Sequence, residues 1–221
     1  MYYKSKLLVT LVQSSVLIME IIFATGNAHK VAEAQKALGD NVTLIMPKEL
    51  GVVEDIPETG DTLEDNAVQK CRYLWEKLGK SCFADDTGLE VEALDGAPGV
   101  YTARYAGESK DPSANMDKLL AVLDQMEAAG KDVCGRRARF RTVVAFIDAN
   151  GFLSTFEGIL NGYIAKAKSG SEGFGYDPVF VADGYGTKTL AEISLEEKNA
   201  ISHRGKAMRA LHDFLKGLNR C

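Results

Sequence analysis

The sequence is short of the features that announce several protein classes. Its 4 cysteines, Cys71, Cys82, Cys134 and Cys221, form no C-x-x-C pair and match no zinc spacing. Unpaired thiols of this kind suit a reducing compartment and buried or incidental positions. Three histidines, His29, His203 and His212, are too few for a His-rich metal site. Positive charge is not in excess: 26 Lys and Arg against 31 Asp and Glu leave a net charge of −5, so no overall basic field invites nucleic acid. No apolar run is long enough to span a bilayer. The nearest, "LLVTLV", is broken by Gln13, Ser14 and Ser15, and no small-x-small cleavage site follows. Residues 1–18 read as an extension upstream of "MEIIFATGN", which looks like a fresh start. Linkers, repeats and low-complexity tracts are missing too, as are a Walker A sequence and G-x-G-x-x-G.

What is there is an ordinary globular composition, 46% hydrophobic with 5 prolines, which argues against disorder and fibrous repeats. A chain of 221 residues can bury one sizeable core or two small lobes. Ile21 to Ala24 is an apolar, β-branched run and reads as a buried strand. A helix follows, capped by Asn27, with Val31, Ala34, Gln35 and Leu38 on one face and Gly39 as its stop. Val42 to Met46 reads as a second strand. Thr62 with Asp65 opens a helix to Leu78, with Ala67, Cys71, Leu74 and Leu78 as its stripe. Cys82 to Ala84 and Leu89 to Ala93 read as two short strands. Asp111-Pro112 starts a helix that ends before Gly130. Ala138 to Ile147 reads as a strand, joined through the hairpin turn "DANG" to Phe152–Leu160, with Tyr163 to Ala167 as one more. The last helix runs from about Ser202 to Leu218. The mixture predicts one α/β domain, residues 19–221, built on a mixed sheet with flanking helices.

Five stretches carry residue types suited to chemistry. "FATGNAHK" exposes backbone N–H groups at a strand-to-helix junction, where an anion is stabilised, and Lys30 lies in the first turn. Alone, it is more often just a capped turn, since a strand-to-helix junction with an Asn cap is common. "IPETGDTLEDNAVQK" concentrates carboxylates, Glu58 among them, of the kind that hold a hard cation; a solvated acidic loop accounts for the same run. "FADDTG" sets two aspartates where neighbouring side chains on a strand point to opposite faces. If the strand persists, Asp85 and Asp86 cannot serve one site symmetrically: one can activate water or hold a metal while the other does something else. "GSEGFGYDPVF" can stack a planar ligand on Phe174 or Tyr176 while Asp177 reads a polar edge. In "EEKNAISHRGKA", Ser202 reads as an N-cap, which puts His203 and Arg204 in a first helical turn that does not favour cations. Two cations in that place point to an anionic partner or to base recognition.

Taken in order, these five motifs resemble the inosine triphosphate pyrophosphatase family, the non-canonical purine nucleoside triphosphate pyrophosphatases. The match runs from about Met19 to the last helix. The resemblance implies an elongated α/β fold with two lobes around a nucleotide cleft. It implies Mg²⁺-dependent hydrolysis of ITP, dITP and XTP to the monophosphate and pyrophosphate, by a cytoplasmic homodimer; the acidic net charge and the short apolar runs already speak against a nucleic-acid or membrane partner. Carried over by position, Thr25, Gly26, Asn27, Ala28, His29 and Lys30 would cradle the triphosphate, with Lys70 helping. Glu58 and Asp86 would bind the metal, Asp86 would also be the general base, and Thr87 would touch substrate. Phe174, Gly175, Tyr176, Asp177, Lys198, His203 and Arg204 would hold the base and sugar. His29 departs from the Gly of many bacterial members.

The chemistry agrees with that implication. Cleavage between the α and β phosphates needs an activated water and neutralisation of the departing charge. A carboxylate base contributes roughly 10²–10⁴-fold, and a metal with lysines stabilises the developing charge. A site that donates to a 6-keto oxygen leaves adenine unpaired and so discriminates against it. Three other readings compete: a related pyrophosphatase for other nucleotides, a nucleotide-binding module without turnover, and a nucleic-acid-binding protein, which the net charge and the lack of a basic aromatic stripe disfavour. Retention of Asp86, Glu58 and Lys30 speaks against the second.

Overall fold

The computed structural model describes residues 19–218; the extension at 1–18 and Cys221 lie outside the described residues, as does the side chain of His29. Six strands form one mixed sheet in the order β2-β1-β3-β4-β5-β6. They are β1 (Met19–Phe23), β2 (Val42–Ile45), β3 (Cys82–Val91), β4 (Arg137–Ile147), β5 (Leu153–Ile164) and β6 (Phe180–Ala182). β1 pairs in parallel with β2 and β3, and every later pairing is antiparallel. The helices are α1 (Ala28–Leu38), α2 (Leu63–Leu78), α3 (Pro112–Ala128), α4 (Leu195–Ile201) and α5 (His203–Leu218).

The period-two alternation of the strands divides the core. Ile21 and Phe23 of β1, Phe83 of β3 and Val144 and Phe146 of β4 pack with α1 and α5 through Ala34, Leu38, Met208, Leu211 and Leu215. Their neighbours Ile22, Cys82, Ala84, Val143 and Ala145 face the other way, onto Ala67, Cys71 and Leu74 of α2. β1 is buried on both faces, as a parallel strand covered by helices on each side should be. Farther along, Leu89 and Val91 of β3, Phe140 of β4, Leu160 and Ile164 of β5 and Phe180 of β6 join Leu119 and Leu123 of α3 in a separate cluster. β3, β4 and β5, with 10, 11 and 12 residues, therefore run through two lobes. Asp85 to Gly88 lie on β3 between them.

Most of the expected elements form, with the expected caps. The Lys30 N–H donates to Asn27 Oδ1 at 3.3 Å, the Asp65 N–H to Thr62 Oγ1 at 3.0 Å, and the Gly205 N–H to Ser202 Oγ at 3.0 Å. Cys71 and Cys82 are buried free thiols with their sulfurs 3.6 Å apart. Two expectations are corrected, and two elements were unforeseen. The two short strands at Cys82–Ala84 and Leu89–Ala93 are one strand, β3, because Asp85, Asp86, Thr87 and Gly88 each keep a partner on β4, at Val144, Val143, Thr142 and Arg141. The ladder and the counter-charges described below override the turn preference of "DDTG". The separate strand at Tyr163–Ala167 is instead the end of β5. Finally, β6 and α4 were not expected, although Ser194 and Glu197 form a capping box whose S-x-x-E signature is plain in the sequence.

One glycine sets the placement of α5. A Cβ on Gly158 of β5 would lie 1.9 Å from the His203 carbonyl oxygen and 2.6 Å from the Ala207 nitrogen. Only a residue without a side chain lets the first turn of α5 lie directly on the sheet, and that turn carries His203 and Arg204.

Candidate active site

Because β3 continues through the pair, Asp85 and Asp86 point to opposite faces. Asp85 shares the face of Phe83, toward α1 and α5. Its side chain is only 1% exposed, and the Lys30 ammonium donates to both its oxygens at 2.9 and 3.0 Å. Arg204 Nε donates to Asp85 Oδ2 at 3.3 Å, and Arg204 Nη1 donates to Glu33 Oε2 at 2.9 Å. Burial alone would raise the Asp85 pKa. The Lys30 and Arg204 charges outweigh that and hold the carboxyl well below the usual carboxylate range.

Asp86 shares the face of Ala84, toward α2. Asn66 Nδ2 donates to Asp86 Oδ2 at 3.1 Å. The buried Lys70 ammonium lies 3.6 Å from Asp86 Oδ1, 2.6 Å from Glu58 Oε1, and donates to the Asp85 carbonyl oxygen at 2.7 Å. Here burial wins: it pushes the Asp86 carboxyl above its ordinary value, with Lys70 and Asn66 opposing and Glu58 reinforcing. Two adjacent aspartates thus have opposite shifts, one a locked anion and the other a carboxylate with enhanced basicity.

Glu58 and Asp86 flank one ammonium, so positive charge is favoured between them, and a pair of carboxylates suits Mg²⁺, which keeps most of its waters. Among the described residues no group of three or more His, Cys, Asp and Glu side chains gathers to hold a metal. An ion held by Glu58 and Asp86 would therefore complete its shell from water and ligand oxygens.

The loop before α1 is open. Gly26, Asn27 and Ala28 are exposed and Thr25 half-buried, with Thr25 Oγ1 accepting from the Asn27 N–H at 3.1 Å. Thr87 shares a 2.8 Å hydroxyl contact with Thr142. In the glycine-rich stretch the two aromatics part company. Phe174 is 64% exposed, whereas Tyr176 is buried at 4% and its hydroxyl donates to the Thr102 carbonyl at 3.0 Å. The Tyr176 ring is thus a core side chain, and Phe174 is the ring open to a planar ligand. Asp177 is buried; its Oδ2 accepts from the Phe174 N–H at 2.7 Å and lies 2.5 Å from the Lys198 ammonium. That ammonium lies 4.4 Å from the centre of the Phe174 ring. Next to Phe174, Gly175 has a φ of +63°, a conformation natural to glycine.

His203 stacks on Phe140 at 4.8 Å, and its Nδ1 is buried with no hydrogen-bond partner in the structure. Burial, followed by the Arg204 and Lys198 charges, pushes its imidazole down to about 3. The expected pair of cations at the start of α5 is therefore one cation, Arg204, beside a neutral ring. Two residues at the site went unforeseen. Asn66 precedes Lys70 by four positions and so shares its helix face; that spacing was readable. Glu33, three positions after Lys30, had no such cue, because its partner lies at the far end of the chain.

This is a mixed-sheet α/β protein whose helices and central strand gather lysines, carboxylates and one arginine between two lobes. Residues 21–214 match the sequence profile of the Ham1 family. The chain is 50% identical over 198 residues to a dITP/XTP pyrophosphatase of Flavobacterium psychrophilum, covering 90% of this chain and 100% of that one. It is also 50% identical to one from Porphyromonas gingivalis, over 89% of this chain and 97% of the relative. The solved Ham1 protein of Staphylococcus aureus superposes with a TM-score of 0.80 at 39% identity, over 90% of this chain and 98% of the other. That of Coxiella burnetii gives 0.81 at 39% identity, over 90% and 99%. The chain belongs to the Ham1 family, in agreement with the motif resemblance.

Proposed function

We propose that this protein is a nucleoside triphosphate pyrophosphatase that removes ITP, dITP and XTP, releasing the monophosphate and pyrophosphate with Mg²⁺ as the metal. The observation that carries the reading is the divided aspartate pair. The basic Asp86 sits beside Lys70 and Glu58, while the locked Asp85 holds Lys30 at the start of α1. In this reading Thr25 to Lys30 and Lys70 receive the phosphates, and Thr87 contacts the substrate. Asp86 takes the proton of the attacking water. Glu58 and Asp86 hold the metal, which when bound withdraws charge from the phosphate oxygens. Phe174 stacks on the base beside Gly175 to Asp177, and Lys198, His203 and Arg204 complete the base and sugar pocket. The neutral His203, with an unsatisfied buried nitrogen, is a hydrogen-bonding group suited to a purine edge rather than a phosphate-binding cation. Among the described residues no helix is long and apolar enough to cross a membrane. The family resemblance adds a cytoplasmic homodimer, and it assigns the whole activity to residues 19–221.

The test is pyrophosphate release from ITP, XTP, dITP, GTP, ATP and TTP with Mg²⁺. Preference for the first three, with pyrophosphate as product, is expected. Equal turnover of ATP would refute the specificity, and release of orthophosphate would refute cleavage at the α phosphorus. Deletion of residues 1–18 is expected to leave turnover intact.

A further inference from the structure

Glu33 lies outside every motif considered above, yet it ends a chain of four linked charges. α1 supplies Lys30 and Glu33 one turn apart, β3 supplies Asp85, and α5 supplies Arg204. Lys30 pairs with Asp85, Asp85 with Arg204, and Arg204 with Glu33. The Arg204 side chain is 12% exposed, and Glu33 is 43% exposed. A guanidinium is planar, so a partner at Nε fixes one point and leaves the fork free to turn. A second partner at Nη1 sets the plane. Asp85 supplies the first contact and Glu33 the second.

An ordinary structural salt bridge would make the same contact, but the packing leaves it little to do. α1 and α5 are already joined through Ala34, Leu38, Leu211 and Leu215. A half-exposed carboxylate adds little stability to such a contact. What it changes is the orientation of a side chain in the candidate base and sugar pocket.

We propose that Glu33 is a positioning residue, which with Asp85 orients the Arg204 guanidinium for nucleotide binding. The inference rests on the reading of the site as a nucleotide pocket. The experiment measures ITP kinetics, the melting temperature and solvent exchange of the Arg204 Nε–H by NMR in the parent, Glu33→Gln, Arg204→Lys and the double variant. Glu33→Gln is expected to raise KM about three- to tenfold, in the lower part of the coupling seen between contacting residues. kcat is expected to stay within about twofold and Tm within about 2 °C, with faster exchange at Nε–H. In the Arg204→Lys background, where no planar fork remains, Glu33→Gln is expected to leave KM unchanged. An unaltered KM in the single variant, or the same rise in both backgrounds, overturns the proposal. A parent that turns over none of ITP, XTP and dITP refutes the substrate reading instead; unaltered Nε–H exchange in Glu33→Gln would then still overturn the positioning.

Discussion

Asp86→Asn separates chemistry from architecture. The amide matches the carboxylate in shape, and its oxygen can still accept from Asn66, which now donates to Asp86 at 3.1 Å. Lys70 stays anchored by Glu58 at 2.6 Å and by the Asp85 carbonyl at 2.7 Å. The fold around the position is therefore retained, while the proton acceptor is lost. Loss of a general base costs roughly 10²–10⁴-fold, so kcat is expected to fall at least about 100-fold, or about 2.7 kcal/mol of barrier. Stability is expected to move the other way or not at all. Burial raises the Asp86 pKa, so its ionised form is a folding cost at neutral pH, and a neutral amide removes that cost. The assay is pyrophosphate release from ITP alongside thermal melting. Turnover within tenfold of the parent refutes Asp86 as the base. A large fall in Tm together with the lost activity refutes the claim that this carboxylate is a burden on the fold.

Three further perturbations follow from particular contacts. Asp85→Asn leaves Lys30 and Arg204 without their shared counter-charge and is expected to destabilise the protein by about 3 kcal/mol at pH 7. Because the native carboxyl is depressed, that stability is present above the unfolded value of about 3.9 and is lost as pH falls below it. Denaturation curves should therefore converge for variant and parent in acid, and a gap independent of pH would contradict the pairing. Gly158→Ala must displace the His203 carbonyl, so a loss of roughly 1–3 kcal/mol is expected from the urea midpoint; an unchanged midpoint would place α5 elsewhere. Phe174→Ala, at an exposed ring, is expected to leave Tm unchanged and raise KM for ITP roughly tenfold, the scale of base stacking; an unchanged KM would remove Phe174 from the base pocket.

Much of this protein was determined by local pattern. Apolar periodicity placed α1, α2, α3, α5 and most of the sheet, because helices and half-buried strands impose their periods on nearby residues. Caps at Asn27, Thr62 and Ser202 were readable for the same reason: each acts on a backbone N–H within a few positions. Strand alternation even required that Asp85 and Asp86 diverge, provided the strand ran on. Whether it did was a tertiary matter, since the partners that hold "DDTG" extended lie on β4 and the charges that stabilise the carboxylates lie on three helices. Which aspartate became the locked anion depended on which helices cover each face. The pairing of Arg204 with Asp85 and Glu33 spans most of the chain, and it rests on the bare surface of Gly158 that admits α5. Such long-range pairings leave no periodic trace in sequence, because neither partner's neighbours need change to make them.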